Sequence, residues 1–378
     1  MKKAAMGMLA LLLLTGCWDR MPIRDLHMVD IVGLDREEKS GNFVVDIVNT
    51  ILSKTGQGQG EPISETSELK GPSILEAVGK GEYIDEGRFV GISTRIYLMS
   101  ERFASHEPFH DLAFVLQAPY TSINSPVVVY EGDMTKLLKT QSGTRKPLTK
   151  KMNDFIKALE RNEIMFNVSL MYLILSYLDP LEDVALPLLK QYDSGMELEG
   201  ALLFRDGTST GVKLDQEQVR MMMIMKGRTN ARQRISGHLP GSSVGKQPNS
   251  DPAEDVDFGF SAKKALTKIT VQPGSNGLPN VSVGVQLKIN TFEIGEGLHL
   301  LKPDYVNQME KELNKYFEKK AADTIEMLQK ANCDVLGIGK QIKAFHPSLW
   351  KSLNWRTDYP RMSIKPKFDV QILNADPE

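Results

Sequence analysis

The residues best suited to chemistry stand at the start of the chain. Leu14-Thr15-Gly16-Cys17 sets two small residues directly before a cysteine. Small side chains before a cleavage point fit a narrow peptidase cleft. A cysteine at that point supplies the thiolate, the nucleophile that accepts a diacylglyceryl group. Leu14, Thr15 and Gly16 therefore read as a lipobox, with Cys17 as the lipidation site and first residue of a mature chain. A second pattern, His106-Glu107-Pro108-Phe109-His110, spells H-E-x-x-H. Zinc chemistry at that spacing requires both histidines on one helical face, with the glutamate beside them as base. Pro108 lies inside the pattern and removes a helical hydrogen bond, and no third ligand follows at short spacing. A solvated loop is expected there, with no metal. His27, His238, His299 and His346 are scattered. Gly337-Ile338-Gly339-Lys340 completes neither a P-loop nor a dinucleotide fingerprint, and no serine sits in G-x-S-x-G. Cys333 is the second of two cysteines. With Cys17 lipidated no internal disulfide forms, and a buried structural thiol fits better than a reactive one. No catalytic, cofactor-binding or metal residue is assigned, so neither an enzyme nor a cofactor is expected.

The stretch before Cys17 supports the lipobox. Met1-Lys2-Lys3 is a basic start, and the apolar run from Ala4 to Leu14 falls short of the roughly 20 residues a membrane-crossing helix needs. Residues 1–16 are expected to be a signal peptide, and lipid on Cys17 the anchor. The 378 residues allow two or three domains, and the 41% hydrophobic and 25% charged fractions are those of a globular protein. A formal net charge of −2, more acidic without Lys2 and Lys3, gives no support for nucleic-acid binding.

The elements that must carry these features alternate between strands and helices. Val29 to Leu34 and Phe43 to Leu52 flank Lys39-Ser40-Gly41-Asn42 and predict a hairpin. Ser73 is placed to cap a short helix through Val78. Ile92 to Met99 and Val127 to Tyr130 read as strands. Met134 to Lys139 and Leu148 to Leu159 read as helices. Val168 to Leu178 is so apolar that helix and strand are not separated. Arg205-Asp206-Gly207 between two strand-like runs predicts a second hairpin. Gln216 to Lys226 predicts a helix whose stripe of Val219, Met222, Met223 and Met225 reads as core. Gly227 to Asp257 is polar and aperiodic, a long loop with at most one edge strand, and a candidate contact site that orders on binding. Val281 to Ile289 alternates strictly. From Asp304 to Lys330 apolar residues recur at three and four, which predicts a long amphipathic helix, ended by a left-handed Asn332. Met362 to Ile372 supplies a final strand. The fold class expected is α+β and multidomain, with mixed or antiparallel sheets and packed helices. An N-terminal domain over 17–195 and a C-terminal region over 196–378 are expected, the latter as one unit or as two subdomains split near 227–257.

Three stretches together resemble the Ger(x)C family, the lipoprotein C subunits of spore nutrient-germinant receptors. The first is Gly16-Cys17-Trp18-Asp19-Arg20 followed by Val32-Gly33-Leu34-Asp35. The second is Glu199-Gly200-Ala201 through Phe204, Asp206, Gly211 and Leu214. The third is Asp334, Leu336-Gly337-Ile338-Gly339, His346-Pro347, Trp350 and Trp355. The chain departs from the family pattern at Ile338, where a Phe is usual, and around Leu116 to Pro119. The resemblance implies a non-enzymatic subunit of three mixed domains, whose partners are the two integral-membrane A and B subunits of a germinant receptor. It implies a location on the extracytoplasmic face of the spore inner membrane. Gly337, Gly339, Trp350 and Trp355 read as structural anchors, the glycines permitting a tight turn and the tryptophans burying large area.

Three other readings compete. A solute-binding lipoprotein of a transporter needs two α/β lobes around a cleft. A zinc hydrolase needs His106, Glu107 and His110 on one metal. An envelope scaffold unrelated to germination shares the anchor alone.

Overall fold

The computed structural model describes residues 26–52, 62–83, 88–113, 121–140, 148–193, 195–230, 232–239, 256–274, 277–294 and 303–373. Two sheets organise the chain. The first has nine strands: β1 (Leu26–Arg36), β2 (Phe43–Leu52), β3 (Pro62–Gly71), β4 (Arg88–Val90), β5 (Ile96–Ser100), β6 (Val127–Glu131), β7 (Val184–Tyr192), β8 (Gly195–Arg205) and β9 (Thr208–Asp215). Their order is β3-β2-β1-β5-β6-β7-β8-β9, with β4 beside β1. The second runs β10-β11-β12-β13, from β10 (Arg234–Leu239), β11 (Val256–Gln272), β12 (Asn280–Ile294) and β13 (Ser363–Ile372).

The middle of the first sheet is parallel: β1 with β5, β5 with β6, and β6 with β7. Parallel strands covered on both faces read as continuous apolar runs. Ile96 to Met99, Val127 to Tyr130 and Val184 to Leu189 are such runs, buried throughout. Alternate side chains serve opposite layers. Ile96, Leu98 and Val128 face α4 (Met134–Thr140) and α5 (Leu148–Arg161). Tyr97, Met99, Val127 and Val129 face α1 (Ile74–Lys80), α2 (Glu101–Ala104), α3 (Pro108–Leu112) and α6 (Leu170–Tyr177). The sequence left residues 168–178 open between helix and strand. The Ser169 side chain accepts from the Tyr172 N–H and starts a helix there.

Antiparallel hairpins complete both edges. β1 and β2 pair as expected, with Gly41 at φ +71° in the turn. β8 and β9 join through Asp206 and Gly207, both at positive φ, which is the two-residue turn that suits strand twist. Residues 195 and 196, where the sequence places a boundary, fall at the start of β8. β8 pairs β7 from Val184↔Phe204 to Tyr192↔Gly195, so one sheet runs across it. The passage to the second sheet comes after β9, near the split expected around 227–257. β10 is an edge strand inside that segment, and residues 240–255 lie outside the described residues.

A short helix lies between the two sheets. α7 (Gln216–Met225) starts at a capping box in which Asp215 and Gln218 bond each other's backbone. It turns Val219, Met222 and Met223 to the first sheet, and Met221, Ile224 and Met225 to the second. Unbranched methionines suit this irregular gap. The long helix α8 (Pro303–Lys330, 28 residues) lays Met309, Leu313, Phe317, Ala321 and Ile325 on the second sheet. Asn332 follows it at φ +50°.

α8 also closes a sheet edge. β13 lies outermost, parallel to β12, and its outward N–H groups need acceptors. Glu318, Asn314 and Glu310, one helical turn apart, accept from the N–H groups of Phe368 (3.1 Å), Val370 (2.8 Å) and Ile372 (2.8 Å). Asn314→Ala strands the Val370 N–H. We expect a loss of about 1–2 kcal/mol in urea unfolding; an unchanged midpoint would mean the edge is satisfied without the helix.

Candidate functional site

Three short helices follow α8 and carry the sequence anchors: α9 (Ile338–Phe345), α10 (Pro347–Lys351) and α11 (Trp355–Asp358). The Asp334 carboxylate fixes the first of them. Its oxygens accept from the Ile338 N–H at 3.0 Å and the Gly339 N–H at 2.7 Å. Burial pushes this carboxyl up to about 7, against the pull of those two N–H groups. Gly337 precedes the helix at φ +77°, a left-handed position that suits glycine. Gly339 does something other than the expected turn. It lies within α9, and a Cβ there would stand 2.7 Å from the Trp355 indole. Its missing side chain makes room for the ring. Trp355 is buried between Trp350 at 5.6 Å and Tyr359 at 5.1 Å, while Trp350 is only partly buried.

Beneath these helices lies a buried ionic junction that spacing did not reveal. Asp183, just before β7, accepts from the Asp334 N–H at 2.7 Å and from both terminal nitrogens of Arg356, at 2.8 and 2.9 Å. The second of those nitrogens also donates to the Pro180 carbonyl at 2.8 Å and to Asp206, in the β8–β9 turn, at 2.7 Å. Burial pushes the Asp183 carboxyl upward, and Arg356 opposes it. Cys333 is fully buried beside them, its thiol donating to the Phe204 carbonyl at 3.3 Å. Burial raises its pKa well above the ordinary value, so the thiolate form is suppressed. Lys226, at the end of α7, donates to the Val335 carbonyl at 2.6 Å.

A second polar region opens at the carboxyl ends of the parallel strands, a groove of about 1150 Å³. The connection leaving β5 passes to one face of the sheet and the connection leaving β6 to the other. Such a reversal opens a crevice in sheets of this kind. Here the groove's charges are largely matched internally. Arg102 forks onto Asp35 at 3.0 and 2.6 Å, Lys70 meets Glu37 at 3.0 Å, and Lys139 meets Glu68. Below it, Asp46 is fully buried, with one oxygen bonded to the Thr135 hydroxyl at 2.7 Å and the other without a partner.

The His106–His110 stretch departs from the solvated loop expected. Glu107 stands in the left-handed region at φ +52°, and Pro108 opens α3. His106 therefore precedes the helix that holds His110, and the two do not share a helical face. His106 bonds Ser105 and the Arg102 carbonyl, while His110 stands 3.8 Å from Asp111. Phe109 is buried and stacks on Phe204 at 5.3 Å, which anchors the segment. Among the described residues no group of three or more His, Cys, Asp or Glu could hold a metal ion. Leu14, Thr15, Gly16 and Cys17 lie outside the described residues.

Two expectations follow. Arg356→Met leaves the Asp183 charge buried with the Asp334 N–H as its remaining donor. It should cost about 3 kcal/mol, whereas Lys70→Met, which breaks exposed pairs with Glu37 and Glu68, should cost far less. Equal losses in denaturant unfolding would remove the special standing of Asp183. The second concerns pH. Burial raises the Asp46 carboxyl from 3.8 to about 6. A raised acid favours its protonated folded form, so its contribution is complete below about pH 4 and is lost as pH rises through about 6. Asp46→Asn should match the parent at pH 4 and exceed it at pH 8 by at most about 3 kcal/mol. A gap that is the same at both pH values would exclude this titration.

Comparison with known proteins places these features in a family. A model of the spore germination protein N-terminal domain matches residues 19–191, and the spore germination B3/GerAC-like C-terminal model matches residues 199–375. Spore germination protein KC of Bacillus subtilis is 24% identical over 98% of this chain and 94% of its own length. Spore germination protein GerQC of Bacillus cereus is 20% identical over 99% of each chain. The crystal structure of the GerBC protein shares the fold, with a TM-score of 0.58 at 14% identity, covering 91% of this chain and 97% of that one. The two family models between them take in both sheets, the ionic junction and the Gly337–Trp355 segment, and the chain belongs to the Ger(x)C family of spore germination proteins.

Proposed function

We propose that this chain is the membrane-anchored lipoprotein subunit of a spore nutrient-germinant receptor, working by protein contact with two integral-membrane subunits. The observation that carries the reading is the extent of the family match, which begins at residue 19, two residues after Cys17. Lipid on Cys17 would hold the chain on the extracytoplasmic face of the spore inner membrane. Among the described residues no helix is long and apolar enough to cross a membrane. Confinement to a surface raises the effective concentration of the chain near membrane partners. The chemistry of the buried groups fits a contact protein. The buried acids Asp334 and Asp183 and the thiol of Cys333 are engaged in joining elements. The solute-binding alternative needs a cleft between lobes, and the gap between the two sheets is filled by α7 with apolar side chains on both sides.

The test is made in spores. Cys17→Ala should remove the protein from the spore membrane fraction and abolish nutrient-triggered germination, while a receptor-independent trigger still works. Normal nutrient germination in a full deletion strain, with redundant receptors also removed, would sink the receptor reading.

A further inference from the structure

Several of the large exposed apolar side chains, Met28, Ile92, Met171, Leu175 and Leu178 among them, stand at one end of the first sheet, opposite the charged groove, while others such as Leu75, Leu266 and Phe345 lie elsewhere. β1 meets β5 first at Ile31↔Ile96, so Leu26 to Asp30 extend past the start of β5. At ~3.3 Å per residue this overhang is roughly 16 Å long. β4 and the turn over Gly91–Ser93 support it, with Ser93 donating to the Val29 carbonyl at 2.8 Å and the Arg95 N–H to Asp30 at 2.8 Å. The same edge continues to α6. Ser125 bonds the Thr94 carbonyl, and the N–H groups of Leu170 and Met171 donate to Ser125 (3.0 Å) and Ile123 (2.8 Å). α6 is apolar all round. Leu170, Leu173 and Ile174 turn inward, while Met171, Leu175 and Leu178 form an outward stripe at spacings of four and three, with Tyr172 beside it. Leu175 is 50% and Leu178 72% exposed, and Met28 on the overhang and Ile92 in the turn that supports it are exposed too.

What covers this face is indicated by where the chain leads. The described chain begins at Leu26, at the far tip of the overhang. Residues 18–25 join that tip to Cys17, and at about 3.5 Å per residue they reach at most about 30 Å. Under the anchoring reading proposed above, on which this inference rests, the lipid is tethered beside the apolar end. The opposite end carries Lys39, Lys70, Lys136 and Lys139 among acids, a surface that stays in water. We propose that the outward face of α6, with Met28 and Ile92, seats in the lipid interface of the membrane that holds the anchor. A helix lying in the interface plane buries such a stripe at the boundary between headgroups and acyl chains, and tyrosines favour that depth. The contact fixes the orientation of the chain, with the groove pointing away from the bilayer.

The test uses the full acylated protein in vesicles of phosphatidylglycerol and phosphatidylcholine. Leu175→Cys, Leu178→Cys and, as a control at the groove, Lys136→Cys each receive an environment-sensitive fluorophore. Cys333 is buried and Cys17 acylated, so the new thiol is the one that reacts. Emission at positions 175 and 178 should shift to the blue and be largely lost when the lipids carry nitroxides, while position 136 shows neither change. Flotation of the vesicles separates the two ideas under test. A chain that floats with its 175 and 178 probes still in water overturns the seated face and leaves the anchor standing. A chain that does not float overturns both. Quenching that requires added membrane subunits assigns the face to protein and overturns its assignment to lipid.

Discussion

The structure hangs on one buried carboxylate. Asp183 stands at the entry to β7 and is out of water, so its charge must be met by fixed donors. Those donors come from far along the chain: the Asp334 N–H is 151 residues away and Arg356 is 173. Any movement of the C-terminal helices away from the first sheet would strand the carboxylate in a medium that penalises charge heavily. Such a pair adds little net stability over a well-packed apolar contact, because desolvation offsets the attraction. Its effect is geometric: it admits one arrangement of the end of α8, α11 and the β8–β9 turn. The Asp334 carboxylate then hands the same constraint to the start of α9, and Gly339 lets the Trp355 ring close over it.

This fixed junction fits the contact role proposed for the chain. Apolar layers join the sheets and helices alongside this ionic junction, and α7 is shared between two cores. The polarity of the first sheet adds direction. A groove lined by matched charges opens where its parallel strands end, and the exposed stripe of α6 lies where they begin. A body with unlike ends and fixed internal geometry presents different surfaces to water and to whatever lies beneath it.

Much of this was legible in the sequence where local chemistry decides the outcome. Asp206-Gly207 marked its hairpin because few residue types accept two successive positive φ angles. Ser73 marked its helix through one hydroxyl, and α8 showed its face through 28 residues of helical period. The α+β class, with packed helices, followed from the alternation of such signals. Other features had no local signature. Alternation in Met362 to Ile372 shows a half-buried strand but carries no record of its parallel direction beside β12. The apolar stretch at 168–178 has the same composition in a helix or a strand, and one serine hydroxyl decides it. Asp183 and Arg356 are ordinary surface residue types, and nothing near either in sequence shows that they meet. Gly339 looked like a turn residue because the ring it makes room for belongs to a later helix.

The continuity of the first sheet across residue 195 bears on how such proteins are inherited. The two family domains meet inside the β7–β8 hairpin, between Val184↔Phe204 and Tyr192↔Gly195. A genetic crossover at that boundary would put β7 from one parent against β8 from another, with mismatched side chains on both faces of one ladder. Halves that are separate units of sequence comparison are thus one unit of selection. Relatives that exchange parts intact would have to break between α7 and β10, where the chain passes from one sheet to the next.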